Sequence, residues 1–311
     1  MLKNQKILVT GGAGFIGSHL VEELSLKGNK NKIIVIDNLS TGNIKNIEDL
    51  IANRNVCFIN GDINDKDLID EHMKDIDYVF HLAAQVSVPK SIDEPFLTND
   101  INVNGTLNIL LSAISNKVKK VVYSSSCAVY GNPETKELPI TENLNPCPLN
   151  PYSLSKLIGE HYCRIFSDIY NLKAVSLRYF NVYGQRQDPD GPYAAVIPKF
   201  IECAKKGNDL TIFGDGKQTR DFIYVKDVVS ANIKSAQEDF QGILNVGSGK
   251  EISILDLAKK IIDLSNKNIK IKFEKARPSD IKYSYADITK IKKEIDFKVK
   301  YGLFDILEDF F

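Results

Sequence analysis

At 311 residues the chain is long enough for one large α/β unit or two lobes, with a sizeable core either way. Forty Lys and Arg balance forty Asp and Glu, so no global field draws the protein to nucleic acid or to an anionic membrane. No run of about 18 apolar residues occurs, which speaks against a spanning helix, and residues 1–10 pass straight into a strand pattern without an apolar leader, so a cytoplasmic protein is expected.

Through the first 180 residues short β-branched runs alternate with helical patterns. Strands are expected at Lys6–Thr10, Lys32–Ile36, Val56–Asn60, Tyr78–His81, Lys120–Ser124 and Ala174–Arg178, and helices at Gly14–Lys27, Leu97–Ser115 and Pro151–Tyr170. Leu107, Leu110, Leu111 and Ile114 recur at helical spacing. Such alternation predicts a doubly wound parallel sheet. After Asn181 the pattern changes. Residues 181–192 read as loop, followed by a helix over 193–206, a strand over 210–213, helices over 225–237 and 254–265, and a strand over 269–273. The expected fold is therefore an α/β doubly wound parallel sheet over residues 1–180 with a smaller mixed α/β lobe over 181–311. Some C-terminal segments of that lobe are allowed to return to the large domain.

The first βα junction carries a dinucleotide signal. Gly11, Gly14 and Gly17 follow the first strand and open a helix, with Phe15 and Ile16 between the last two glycines. Glycine lets the backbone approach a pyrophosphate, and the helix N-terminus offers free N–H groups to it. Asp37 ends the second strand, 20 residues after Gly17, where a carboxylate can accept from both ribose hydroxyls and repel a 2′-phosphate. Asn38 and its neighbours supply no arginine for that phosphate, so NAD is expected rather than NADP. Asp62 and Ile63 follow the third strand where adenine would lie; Asp62 reads equally as an N-cap. Leu82, Ala83 and Ala84 end the fourth strand with small residues that leave room for the nicotinamide riboside, although a plain strand end reads the same.

Tyr152 and Lys156 are four residues apart on an expected helix and share one face. A phenol ordinarily titrates near pH 10, too high for a base at neutral pH; a nearby ammonium and a positive nicotinamide ring would favour the phenolate. Ser124-Ser125-Ser126 ends the fifth strand at the same sheet edge and offers a hydroxyl to orient a substrate. The five cysteines show no CxxC spacing and the four histidines no ligand spacing, so no metal is expected.

These segments resemble the extended short-chain dehydrogenase/reductase family, and within it the UDP-hexose 4-epimerases. The likeness covers essentially the whole chain, through GGAGFIGSHL at 11–20, IDNLSTGN at 36–43, HLAAQVSVP at 81–89, YSSSCAVYGNP at 123–133, PYSLSK at 151–156, LRYFNVYG at 177–184, QTRDFIYVKDV at 218–228, NVGSG at 245–249 and ARPSD at 276–280. It implies an NAD-binding Rossmann domain followed by a UDP-sugar-binding lobe. It further implies Tyr152 as general base, Lys156 as its electrostatic partner and ribose clamp, and Ser126 as the hydroxyl-orienting residue, with Ser125 a close alternative. Phe180 and Asn181 would border the nicotinamide and the substrate diphosphate, and Arg220 and Arg277 would grip the pyrophosphate. Ser284 would flank the sugar and leave room for an N-acetyl group.

Similar dehydratases place an Asp-Glu pair, and related decarboxylases a Glu, where this chain has Cys127 and Ala128. Without that equipment, oxidation followed by reduction at C4 remains: epimerisation of UDP-glucose/UDP-galactose and of the N-acetylated pair. A UDP-glucuronate 4-epimerase and a non-catalytic NAD-binding regulator are the alternatives. The resemblance also implies a homodimer in which the segments 97–115 and 151–170 pair across a two-fold axis, though an apolar stripe equally suits an intrachain core.

Overall fold

The computed structural model describes residues 2–28, 30–52, 55–189, 195–276 and 281–311. Seven strands, β1 (Lys6–Thr10), β2 (Lys32–Asp37), β3 (Val56–Asn60), β4 (Tyr78–His81), β5 (Lys120–Ser126), β6 (Ala174–Tyr179) and β7 (Gly242–Val246), form one sheet in the order β3-β2-β1-β4-β5-β6-β7. Every pairing in it is parallel. Side chains alternate across the pleat. Ile7 and Val9 enter one core with Leu20, Leu24 and Val228, whereas Leu8 enters the other with Ile109, Leu110 and Phe166. Burial on both faces is why these strands read as near-continuous apolar runs.

Strand order reverses between β1 and β4, which opens a crevice at the carboxyl edge. β5 pairs β4 through His81↔Tyr123 and then runs on, paired only with β6, to Ser126↔Tyr179. The three serines therefore project past the end of β4. A second lobe packs the helices Val196–Lys206, Ile254–Ser265 and Leu303–Glu308 on the parallel pair Leu210–Phe213 and Ile271–Glu274.

Several expectations need correction. The segment 97–115 is not one helix. Pro95–Asn99 leads into a π-helical turn, Asp100–Asn104, before the helix Gly105–Ser115. The inserted turn swings Asn102 inward, where it accepts from Gln85 N (2.8 Å) and donates to Gln85 O (2.9 Å) and Ser155 Oγ (2.9 Å). On the last helix the buried face is Thr106, Ile109, Leu110 and Ala113, while Leu111 is 46% exposed. Within 181–192, expected as loop, Asn181–Tyr183 is a strand paired in parallel with Phe222–Tyr224. Past residue 180, β7 belongs to the large sheet, and the helix Val225–Gln237 packs on the first helix, Phe15–Lys27.

Candidate active site

The glycine turn is shaped by what surrounds it. Gly11 has φ +71°, and a Cβ there would lie 2.6 Å from Ala83 N, so the turn abuts the end of β4. A Cβ on Gly17 would lie 2.1 Å from Gly11 O, which seats the helix on the turn. Gly14 is the N-cap of Phe15–Lys27 and offers no capping side chain, and that first turn holds no carboxylate. Its N–H groups are left for an anion, and the space over Gly14 is open, a Cβ meeting only Gly11 O at 3.3 Å. These features fit a dinucleotide.

Asp37 is buried, and its carboxylate accepts from Ala13 N (3.0 Å) and Leu39 N (2.9 Å), bracing the glycine turn from below. Asn38 Nδ2 donates to Asp62 (2.8 Å), and Asp62 in turn accepts from Asn64 N (2.9 Å). The N-cap of the next helix, Lys66–His72, is Asp65 and not Asp62. Ile63 is buried under Gly105, while Leu82, Ala83 and Ala84 stay half-buried at the crevice.

Tyr152 and Lys156 lie on the helix Pro151–Tyr170, begun by a reciprocal Asn150–Ser153 capping box with Pro151 at its first position. Ser126 is the hydrogen-bonding side chain that acts on the Tyr152 phenol, and its own Oγ accepts from Ala128 N (3.1 Å). Burial pushes this phenol up to about 12, and the Ser126 bond pulls the other way. Lys156 is buried, donates to Ser124 O (2.9 Å) and lies 5.2 Å from the centre of the Tyr123 ring. Burial pushes its ammonium down to about 8, against an upward pull from Glu160. Ser125 turns to the opposite side and donates to Glu160. The alternation of a strand thus separates the two serines that sequence left open.

The substrate side is built around a residue that motif reading passed over. Asp221 is fully buried, and its carboxylate accepts from Ser248 N (2.7 Å), Ser248 Oγ (2.6 Å), Gly249 N (2.9 Å) and Ala286 N (3.1 Å). Its own carbonyl accepts from Asn181 N (2.9 Å). The carboxylate therefore joins the turn after β7 to the segment carrying Ser284, and the backbone carbonyl of the same residue ties in Asn181. Arg220 donates from Nη1 to Thr219 O (2.8 Å) and Ile281 O (2.6 Å). With Asn181, Gln187, Lys199, Phe213 and Gln218 it lines a cavity of about 340 Å³ in the second lobe, beside the strands Asn181–Tyr183 and Leu210–Phe213. Arg277 lies outside the described residues.

Along 284–288 burial alternates: Ser284, Ala286 and Ile288 are buried, and Tyr285 and Asp287 are half-exposed. Ala286 forms a parallel bridge with Ile140. Phe180 is buried beside Tyr130, ring centres 6.5 Å apart, and its N–H donates to Val246 O (3.0 Å). Among the described residues no three His, Cys, Asp or Glu side chains converge as a metal site, and no helix is long and apolar enough to cross a membrane.

Comparison with known proteins agrees with this geometry. The profile of the NAD dependent epimerase/dehydratase family matches residues 7–247. The chain belongs to that family. It is 44% identical over 302 residues, 94% of each chain, to a putative UDP-glucose 4-epimerase of Methanocaldococcus jannaschii. It superimposes with a TM-score of 0.94 and 43% identity on the UDP-N-acetylglucosamine 4-epimerase of Methanobrevibacter ruminantium in complex with UDP-N-acetylmuramic acid, covering 99% of this chain and 97% of that one. With the UDP-glucose 4-epimerase of Thermotoga maritima with UDP-glucose the TM-score is 0.92 at 38% identity, over 97% and 96%.

As a member of the NAD dependent epimerase/dehydratase family the protein uses NAD, for which the uncapped helix, the open space over Gly14 and the Asp37 carboxylate are suited. Glu160, Arg178, Asn102 and Asp221 were not singled out from sequence. A charged residue on a helix reads as a solvated surface position, and nothing local reveals that Glu160 is buried. Asp221 stands inside the quoted QTRDFIYVKDV segment, and its position beside Arg220 was the only signal available.

Proposed function

We propose that the protein interconverts C4 epimers of UDP-hexoses, UDP-glucose and UDP-N-acetylglucosamine among them. The observation that carries this reading is the end of β5, where Ser126, the side chain acting on the Tyr152 phenol, is followed directly by Cys127 and Ala128. Elimination of water or loss of a carboxyl needs a further acid or base beside the reacting carbons. Here that position holds a thiol that burial pushes up to about 12 and a methyl group.

NAD, when bound, supplies the hydride acceptor and donor for C4. Ser126 orients the substrate hydroxyl and shares its proton with Tyr152. Tyr152 takes the O4 proton as C4 is oxidised and returns it when C4 is reduced from the opposite face. Lys156, held by Ser124 O, clamps the cofactor ribose and places positive charge under the site. Between the two half-reactions the 4-keto sugar must turn over, so binding energy belongs on the nucleotide and not on the sugar. Arg220 beside the 340 Å³ cavity is suited to the diphosphate, and Asn181 to its approach.

The apolar side chains left at the surface of the same helices support a homodimer. Ile92, Phe96, Leu111, Leu154 and Ile169 are 46–92% exposed on segments 88–115 and 151–170. The reaction is tested by incubating the protein separately with UDP-glucose, UDP-N-acetylglucosamine and UDP-glucuronate and resolving the products. Formation of the C4 epimer from either of the first two supports the reading. Turnover of UDP-glucuronate alone, or none at all, overturns it.

A further inference from the structure

The helix that carries Tyr152 and Lys156 holds a third ionisable side chain on the same face. Glu160 follows Lys156 by one turn and is 1% exposed. Three donors from two side chains meet it. Arg178 of β6, itself 2% exposed, grips it with two donors, Nε to Oε1 at 2.8 Å and Nη2 to Oε2 at 2.6 Å. Ser125 of β5 donates to Oε1. Arg178 is in turn backed by the Tyr130 ring at 4.6 Å, and Tyr130 donates to Asn245 Oδ1 at 2.6 Å. A buried ion pair does not by itself explain its presence, since packed apolar residues fill such a site at no greater cost.

The surroundings of Lys156 say what it does. On its own helix Lys156 has Tyr152 one turn before it and Glu160 one turn after; from β5 it meets the Ser124 carbonyl and the Tyr123 ring, and from β4 His81, which burial holds neutral. Arg178 binds Glu160 from the far side. Glu160 is the one anionic side chain among these groups. We infer that Glu160 is a positioning residue: from one turn beyond Lys156 it maintains the charge of that ammonium, while Arg178 and Ser125 fix its carboxylate in register with the serine-bearing strand. The inference rests on the roles proposed above for Tyr152 and Lys156. The direction of the Lys156 titration agrees, burial lowering it and Glu160 raising it.

The test reads Lys156 directly, so it does not depend on turnover. Protein carrying 13C-labelled lysine and loaded with NAD is titrated by NMR, the Lys156 signal being assigned by its loss in Lys156→Arg. In Glu160→Gln, which keeps an acceptor for Ser125 and Arg178, the Lys156 midpoint moves down by about one pH unit. The alkaline limb of the epimerisation profile moves down with it. Glu160→Asp disturbs packing as much but keeps the charge, and leaves the midpoint within about 0.3 of wild type. A purely structural Glu160 gives equal midpoints in both variants, and that result overturns the inference. Should Glu160→Gln fail to fold, Arg178→Gln carries the test from the other side: the freed carboxylate raises the midpoint, and a fall or no change overturns the inference. If the titration behaves as stated while wild type turns over no UDP-sugar, the proposed reaction fails and the electrostatic role stands.

Discussion

Ser284 acts on the thiol of Cys127, drawing its titration down against the burial that raises it, so a buried residue of the 284–288 segment lies near the residue that follows Ser126. The size gate proposed for Ser284 rests on this neighbourhood: both side chains are small, and a tyrosine at 284 would add bulk beside Cys127. Wild type is expected to turn over both UDP-glucose and UDP-N-acetylglucosamine, because a roomy pocket does not exclude the smaller ligand strongly. Ser284→Tyr is expected to abolish turnover of the N-acetylated sugar and spare UDP-glucose. Steady-state assays of both sugars with both proteins decide it; equal loss of the two activities, or refusal of the N-acetylated sugar by wild type, removes the gate.

Tyr152→Phe removes one oxygen and nothing else from the site. The variant should keep its fold and its NAD and lose about 100-fold or more of kcat, the range for a missing general base. The neighbouring serines separate cleanly. Ser126→Ala should act on kcat, whereas Ser125→Ala should cost about 1 kcal/mol of stability, because its hydroxyl is given to Glu160 and not to Tyr152. Thermal melts and kcat values measured on both variants test the split, which fails if Ser125→Ala proves the more damaging to kcat.

For Asp37→Ala two effects are expected together. Loss of the carboxylate removes the ribose acceptor and the repulsion of a 2′-phosphate, so the preference for NAD over NADP should shrink. The bonds to Ala13 N and Leu39 N vanish as well, so the glycine turn should loosen and affinity for both cofactors should fall. Binding titrations with each dinucleotide read both effects; an unchanged ratio would assign the discrimination to another group.

Lys156 is held in the fold at a cost. Its folded-state titration is lowered from 10.5 to about 8, so below pH 8 the folded protein carries a buried ammonium that the unfolded chain carries in water. The difference corresponds to about 3 kcal/mol of destabilisation at neutral pH. Between about pH 8 and 10.5 the unfolded chain binds more protons than the folded one, and this penalty fades as pH rises. Lys156→Met should therefore melt at a higher temperature than wild type at pH 7 while losing activity, and the gap should narrow by pH 9.5. A variant that melts lower at pH 7 would show that the bond to Ser124 O outweighs burial.

The exposed apolar residues of segments 88–115 and 151–170 predict an assembly. Leu111→Glu with Ile169→Glu places two carboxylates on that face without entering either core. Wild type should sediment as a dimer and the double variant as a monomer. A wild type that is monomeric at micromolar concentration refutes the proposed interface.

What the sequence by itself determined is what depends on neighbours in the chain. The glycine turn, the acidic end of β2, the helical spacing of Tyr152 and Lys156 and the parallel character of the sheet follow from turn chemistry, from strand–helix alternation and from periods of two and 3.6 residues, which the backbone imposes locally. The tertiary structure alone decided the rest. Strand alternation gave Ser126 to Tyr152 and Ser125 to Glu160, two residues that sequence cannot rank. Arg178 finds Glu160 because β6 lies beside β5 under that helix. Gly242–Val246 joins the large sheet because β6 has an open edge that needs a partner. The π-turn at 100–104 exists because Asn102 must reach Gln85 and Ser155, and Asp221 is an organiser because turns from three distant segments converge on it. A buried charge or an inserted turn is set by partners that folding brings close, and no local pattern encodes their distance.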